Sequence, residues 1–153
     1  MGTDRDTGDR PAGLSDEEQA RRRAAIADLF PSTPFMGLLG ITFDRYEPDD
    51  VVVRLPFDER WTNDGVVFHG GVIATMLDTA GAAAAWSNHD FDRGTRASTV
   101  SMSVQYLAAA QSSDLVVSAH TVRRGRELIF TEITARDEHG ADVAHALQTY
   151  RIV

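Results

Sequence analysis

Apolar and polar positions divide this chain into one long apolar block and a series of short runs. Val72, Ile73, Ala74, Met76, Leu77, Ala80, Ala82 and Ala83 crowd together, with Asp78 the one charged residue among them. The block predicts a helix over residues 70–87, apolar nearly all round and therefore central. Ser15 followed by Glu18 has capping-box spacing, and the Arg- and Ala-rich run behind it predicts a first helix over 16–29, ended by Pro31 and Pro34. Its Arg21, Arg22 and Arg23 read as a solvated face. Elsewhere the pattern shortens. Residues 40–47 and 51–56 read as two strands joined at Pro48-Asp49-Asp50, and 96–107, 114–124, 127–137 and 141–152 as four more. Residues 58–65 are expected as loop and 88–94 as a polar connection. Strands around a single apolar helix imply a sheet curled about it, because each surface needs the other to bury itself. The expected class is α+β with an antiparallel sheet.

Length and composition narrow this only a little. The 153 residues, 42% hydrophobic and 25% charged, suit one domain, expected over 15–153 behind a disordered tail at 1–14. A net charge of -8 disfavours nucleic acid or an anionic membrane as partner. The candidate span at 66–86 carries His69 and Asp78, and a charge at mid-span costs ~2.5 to 3.5 kcal/mol, so a cytoplasmic protein is expected. There is no cysteine, which excludes disulfides and thiolate chemistry. All 15 basic residues are arginine, which excludes Schiff bases and a phosphate-loop lysine. His89, His120, His139 and His145 lack ligand spacing, so no metal is expected.

The chemistry points to Asp78. A carboxylate inside an apolar helix is costly to bury unpaired, so hydrogen-bond donors should surround it, with Thr99 or Thr79 as candidates. Asn63 stands six residues before His69-Gly70-Gly71, and Asp78 nine residues after that histidine. With Thr99 on the following strand, this spacing resembles the hotdog-fold acyl-CoA thioesterases, in the branch typified by the phenylacetate-degradation enzymes. The likeness runs over about residues 35–153, including Gly125-Arg126 and Ala144. Where that family often has Arg-Pro, Ala108-Ala109 stands here.

The resemblance implies hydrolysis of an acyl-CoA, medium-chain or aryl, to free acid and CoA, with no cofactor beyond the CoA of the substrate. Asp78 is then general base or nucleophile. Gly70, with Gly71 as second choice, would offer a backbone N–H to the oxyanion at the helix start, where the macrodipole favours negative charge. Asn63 would orient the carbonyl or the water, His69 would position the loop and Thr99 would hold Asp78 or the water. Arg124, Gly125 and Arg126 would bind the CoA phosphates. Eight residues separate Gly70 from Asp78, ~12 Å and ~80° around one helix, so a thioester touching both requires a second copy lying antiparallel. An obligate homodimer follows, and homotetramers are common in the family. Two alternatives share the fold. Asp64 and His69 have the five-residue separation of an enoyl-thioester hydratase, though without its usual Asn-Pro between them. The other is a protein that binds acyl-CoA without turning it over.

Overall fold

The computed structural model describes residues 13–153. Two helices come first, α1 (Asp16–Ser32) and α2 (Pro34–Leu39), then strands β1 (Thr42–Glu47) and β2 (Asp50–Leu55). The long helix α3 (Gly70–Ser87) follows, and then β3 (Ala97–Tyr106), β4 (Leu115–Arg124), β5 (Leu128–Asp137) and β6 (Asp142–Ile152). The strands form one antiparallel sheet in the order β1-β2-β4-β5-β6-β3. This is the α+β, helix-in-sheet arrangement expected, and α3 has the predicted bounds.

α3 lies across the concave face of the sheet. Ile73, Met76, Leu77 and Ala80 pack against Val51, Val53, Leu55, Leu115, Val117 and Ile133. Further along, Ala82, Ala85 and Trp86 meet Ile129, Tyr150 and Ile152. Burying each of the larger aliphatic side chains is worth ~1.5 to 3 kcal/mol, and the run of alanines lets helix and sheet approach closely. Strand burial alternates as a one-sided sheet requires, clearest in β5 and β6.

The N-terminal region departs from expectation. α1 continues through Pro31 to Ser32, and Pro34 does not end a helix but starts α2, since proline is well suited to a first helical position. The carbonyls near Pro31 are satisfied by Thr33 and by the Ser32 hydroxyl. Ser15 caps α1 as predicted, its hydroxyl accepting from the Glu18 N–H at 3.2 Å. Arg23 is no solvated residue, for its Nε donates to the His89 carbonyl at 2.9 Å. Of the tail expected at 1–14, residues 1–12 lie outside the described residues, while the Leu14 N–H is held by Asp92. Short 3₁₀ turns occupy Glu59–Trp61 and Phe91–Arg93 within the two connections. Among the described residues no helix is long and apolar enough to cross a membrane.

Candidate active site

The start of α3 is built by the loop that precedes it. The Asn63 N–H donates to the Val67 carbonyl, Gly65 turns the chain at φ 90°, and Asp64 Oδ1 accepts from the Val66 and Val67 N–H groups. Those two backbone donors, Val67 foremost, hold the Asp64 carboxyl below the usual carboxylate range. Asp64 therefore stabilises the loop, which weakens the hydratase alternative. The loop leaves the Asn63 side chain exposed and, among the described residues, without a hydrogen-bond partner.

His69 is the N-cap of α3, but not by bonding a loop carbonyl: its Nδ1 accepts the Gly71 N–H at 2.9 Å. The ring lies so close that a Cβ on Gly71 would sit 2.9 Å from Nδ1. Gly71 is thus engaged in the cap. The Gly70 N–H has no acceptor among the described residues, while the Gly70 carbonyl accepts from the Tyr106 hydroxyl at 2.9 Å. Tyr106 fastens the end of β3 to the helix start, a role nothing in the sequence signalled.

Two turns along, Thr99 Oγ1 donates to Asp78 Oδ1 at 2.6 Å. Thr79 does not serve Asp78, because its hydroxyl donates back to the Thr75 carbonyl at 2.8 Å and meets Met36 Sδ. A second donor, missed in the sequence, is Gln148 of β6, whose Nε2 reaches Asp78 Oδ1 at 2.7 Å and the Asp78 carbonyl at 3.1 Å. Asp78 is half-buried rather than buried within one chain, since β3 is the last strand of the sheet and leaves that flank of α3 open.

Thr99 reaches the helix because of an irregularity. Thr99 pairs with inward-facing Tyr150 and Ser101 with Thr149, so Val100 between them is a bulge residue and the two neighbours face opposite sides of the sheet. The chain thus brings Asp78 and Thr99 together. It does not bring them to Asn63, His69 and Gly70, because the unbroken helix holds its two ends of the motif ~12 Å apart at about 1.5 Å of rise per residue.

The opposite end of α3 bears on the residues expected to bind phosphate. Arg124 is occupied: its Nη1 donates to the Ala85 carbonyl at 2.9 Å and its Nη2 to Asp49 Oδ1 at 2.6 Å. It neutralises the C-terminal pole of the helix dipole. Burial works against ionisation of Asp49, but hydrogen bonds from Asn88 and Arg124 outweigh it and keep that carboxyl below its ordinary range. Gly125 is needed for the hairpin, since a Cβ there would lie 2.9 Å from the Leu128 carbonyl oxygen. Arg126 is exposed, without an ion pair among the described residues, and with Arg124 and Gly125 it lines a cleft of about 790 Å³ that Asp92, Arg93 and Glu127 also border. Phe68 and Trp86 are buried in the core. Among the described residues no three His, Asp or Glu side chains gather closely enough to hold a metal ion.

Comparison with known proteins bears on this geometry. The Thioesterase superfamily pattern matches residues 65–144, which include the start of α3, Asp78 and Thr99. Acyl-coenzyme A thioesterase 13 of Homo sapiens is 29% identical over 113 residues, covering 72% of this chain and 79% of that protein. A solved structure related to the thioesterase superfamily, from Shewanella oneidensis, superposes with a TM-score of 0.79 at 25% identity, over 91% of this chain and 100% of that one. The PaaI protein of the phenylacetic acid degradation operon of E. coli shares the fold, with a TM-score of 0.76 at 19% identity over 91% and 96% of the two chains.

Proposed function

Since the chain belongs to the Thioesterase superfamily, we propose that it hydrolyses a medium-chain or aryl acyl-CoA, and that it does so as a homodimer with two shared sites. The observation that carries this reading is the pair of half-buried Asp78 and exposed Thr99 on the open flank of α3, with an uncommitted Gly70 N–H at the start of the same helix. β3 is a ten-residue edge strand exposed along nearly its whole length. Antiparallel pairing of two such edges would set the helices side by side, so that Gly70, Asn63 and His69 of one protomer face Asp78 and Thr99 of its partner. Two dimers could associate through the convex sheet face, where Val122 and Leu147 are 60% and 57% exposed, giving a homotetramer.

In that site the thioester carbonyl oxygen accepts from the Gly70 N–H and the Asn63 amide orients the carbonyl or the water. A water beside Thr99 gives one proton to Asp78 as its oxygen bonds to the carbonyl carbon. The negative charge that develops lies against the helix start. Collapse breaks the C–S bond, and the departing thiolate takes up the proton from Asp78, leaving acid and thiol. Arg126, exposed and without an ion pair among the described residues, is the arginine proposed to meet the CoA phosphates, with Arg124 lining the same cleft.

A thiol-release screen across acyl thioesters tests the reading, with Asp78→Asn as control and light scattering for the assembly. Turnover should fall at least ~100-fold in the variant, as for loss of a positioned base. A monomer that turns over at full rate, or crotonyl-CoA hydration that survives Asp78→Ala, would overturn it.

A further inference from the structure

Gln148 is 2% exposed, on the strand next to the β3 edge, and both polar atoms of its amide have partners. Its Nε2 donates to both Asp78 Oδ1 and the Asp78 carbonyl, while its Oε1 accepts from Thr131 Oγ1 at 3.4 Å. Thr131, also 2% exposed, is the cross-strand neighbour of Gln148 and supplies the amide oxygen with its donor. A flipped amide would bring its oxygen against the carboxylate and the carbonyl of Asp78, so Asp78 itself fixes which way the amide faces. Gly81, one turn beyond Asp78, provides the clearance. A Cβ there would collide with Gln148 Oε1 and lie 2.8 Å from Ile133 Cδ1. A glycine inside a helix costs about 1 kcal/mol relative to alanine, so its presence amid alanines has a packing reason.

Thr99 and Gln148 converge on one oxygen of Asp78. Oδ1 accepts from both, at 2.6 and 2.7 Å, and Oδ2 accepts from no group among the described residues. We propose that Gln148 is a positioning residue that locks the Asp78 carboxylate with Oδ1 engaged and Oδ2 as the oxygen that receives the proton of the attacking water. The inference rests on the hydrolytic role of Asp78. Water loses its proton to Oδ2 while its oxygen bonds to the carbonyl carbon, and the proton on Oδ2 later passes to the thiolate released by C–S cleavage. Gln148 exchanges no proton and touches no substrate. Its effect is to keep the carboxylate from rotating, so that the free lone pairs stay aimed at the reactants.

The test is a double-mutant cycle on the intact dimer. Gln148→Met keeps the volume and removes the amide, and should lower kcat about 10- to 100-fold, the range for one hydrogen bond to a charged group, with KM within about threefold. In an Asp78→Asn background the same substitution should cost nothing further, because Gln148 works only through Asp78. Thr131→Val, which leaves the amide oxygen without its donor and loosens the side chain, should give a smaller loss of the same kind. Undiminished kcat in Gln148→Met, or an equal loss with and without Asp78, overturns the positioning role. Full activity in Asp78→Asn alone sinks the hydrolytic reading instead, so the two failures are distinguishable. Should Gln148→Met not fold, Gln148→Glu has nearly the same shape and places a second carboxylate against Oδ1. Unchanged turnover in that variant at neutral pH counts equally against the proposal.

Discussion

The two ends of α3 are handled in opposite ways. At its finish every feature is tied down: Arg124 spans the Ala84 and Ala85 carbonyls and Asp49, Ser87 Oγ accepts from the Asp49 N–H, and Asn88 closes the other side of Asp49. At its start His69 takes the Gly71 N–H and Tyr106 takes the Gly70 carbonyl, but the Gly70 N–H is left over. Both arrangements answer one dipole. A cation from the chain itself saturates the negative pole, and the positive pole keeps one donor free, where the proposed mechanism puts the oxyanion. An arginine near a helix end is thus no sign of ligand binding until its own partners are known.

The sharpest way to break this comparison is to remove the spare donor without disturbing the helix. Proline suits the first helical position, and the residue before it must be extended. His69 already has that backbone, with φ -63° and ψ 134°. Gly70→Pro should keep its far-ultraviolet spectrum and melting point while kcat/KM drops ~100- to 1000-fold, the cost of one oxyanion donor. A variant of normal turnover would leave the open end without a role. At the closed end, Arg124→Met should do the reverse, lowering stability by about 2 to 3 kcal/mol in urea unfolding and leaving KM for acyl-CoA near its original value. Arg126→Met is its counterpart. It should raise KM roughly tenfold, the loss of one charge-assisted contact, and leave the unfolding midpoint unmoved.

The gentlest probe is pH. Burial pushes the His89 imidazole below its ordinary value, and the neighbouring Arg124 charge adds to the effect. The unfolded chain then takes up a proton at higher pH than the folded one. His89 thus favours the fold fully above about pH 6.5, and that contribution is lost as pH falls from there toward the depressed folded value. Melting temperature should decline between about pH 7 and 5, and His89→Gln should flatten the slope. An unaltered slope would show that other groups govern it.

Element type was legible because α3 and the strands carry strong one-sided patterns, down to the bounds Gly70–Ser87. Proline misled in the N-terminal region, since the same missing N–H that ends one helix suits the first turn of the next. Thr99 is instructive. Simple alternation along β3 would place it on the outer face with Ser101 and Ser103, and only the bulge at Val100 turns it toward Asp78. The family resemblance supplied what alternation would have got wrong. Gln148 did leave a trace, a polar residue at an inward position between Ala146 and Tyr150, which had to find a buried partner. That its partner stands 70 residues earlier is a property of the folded chain. The pairing of Arg124 with Asp49, 75 residues apart, is of the same kind.

The bulge has a further consequence. Both outer margins of the sheet are out of step, β3 at Val100 and β1 at Asp44, where Phe43 and Arg45 face successive residues of β2. A border with a skipped rung accepts only a strand of matching register: in the proposed dimer β3 meets its twin once, while the irregular β1 turns further strands away. The kink that steers a hydroxyl to its carboxylate therefore also restricts which strand can dock on that border.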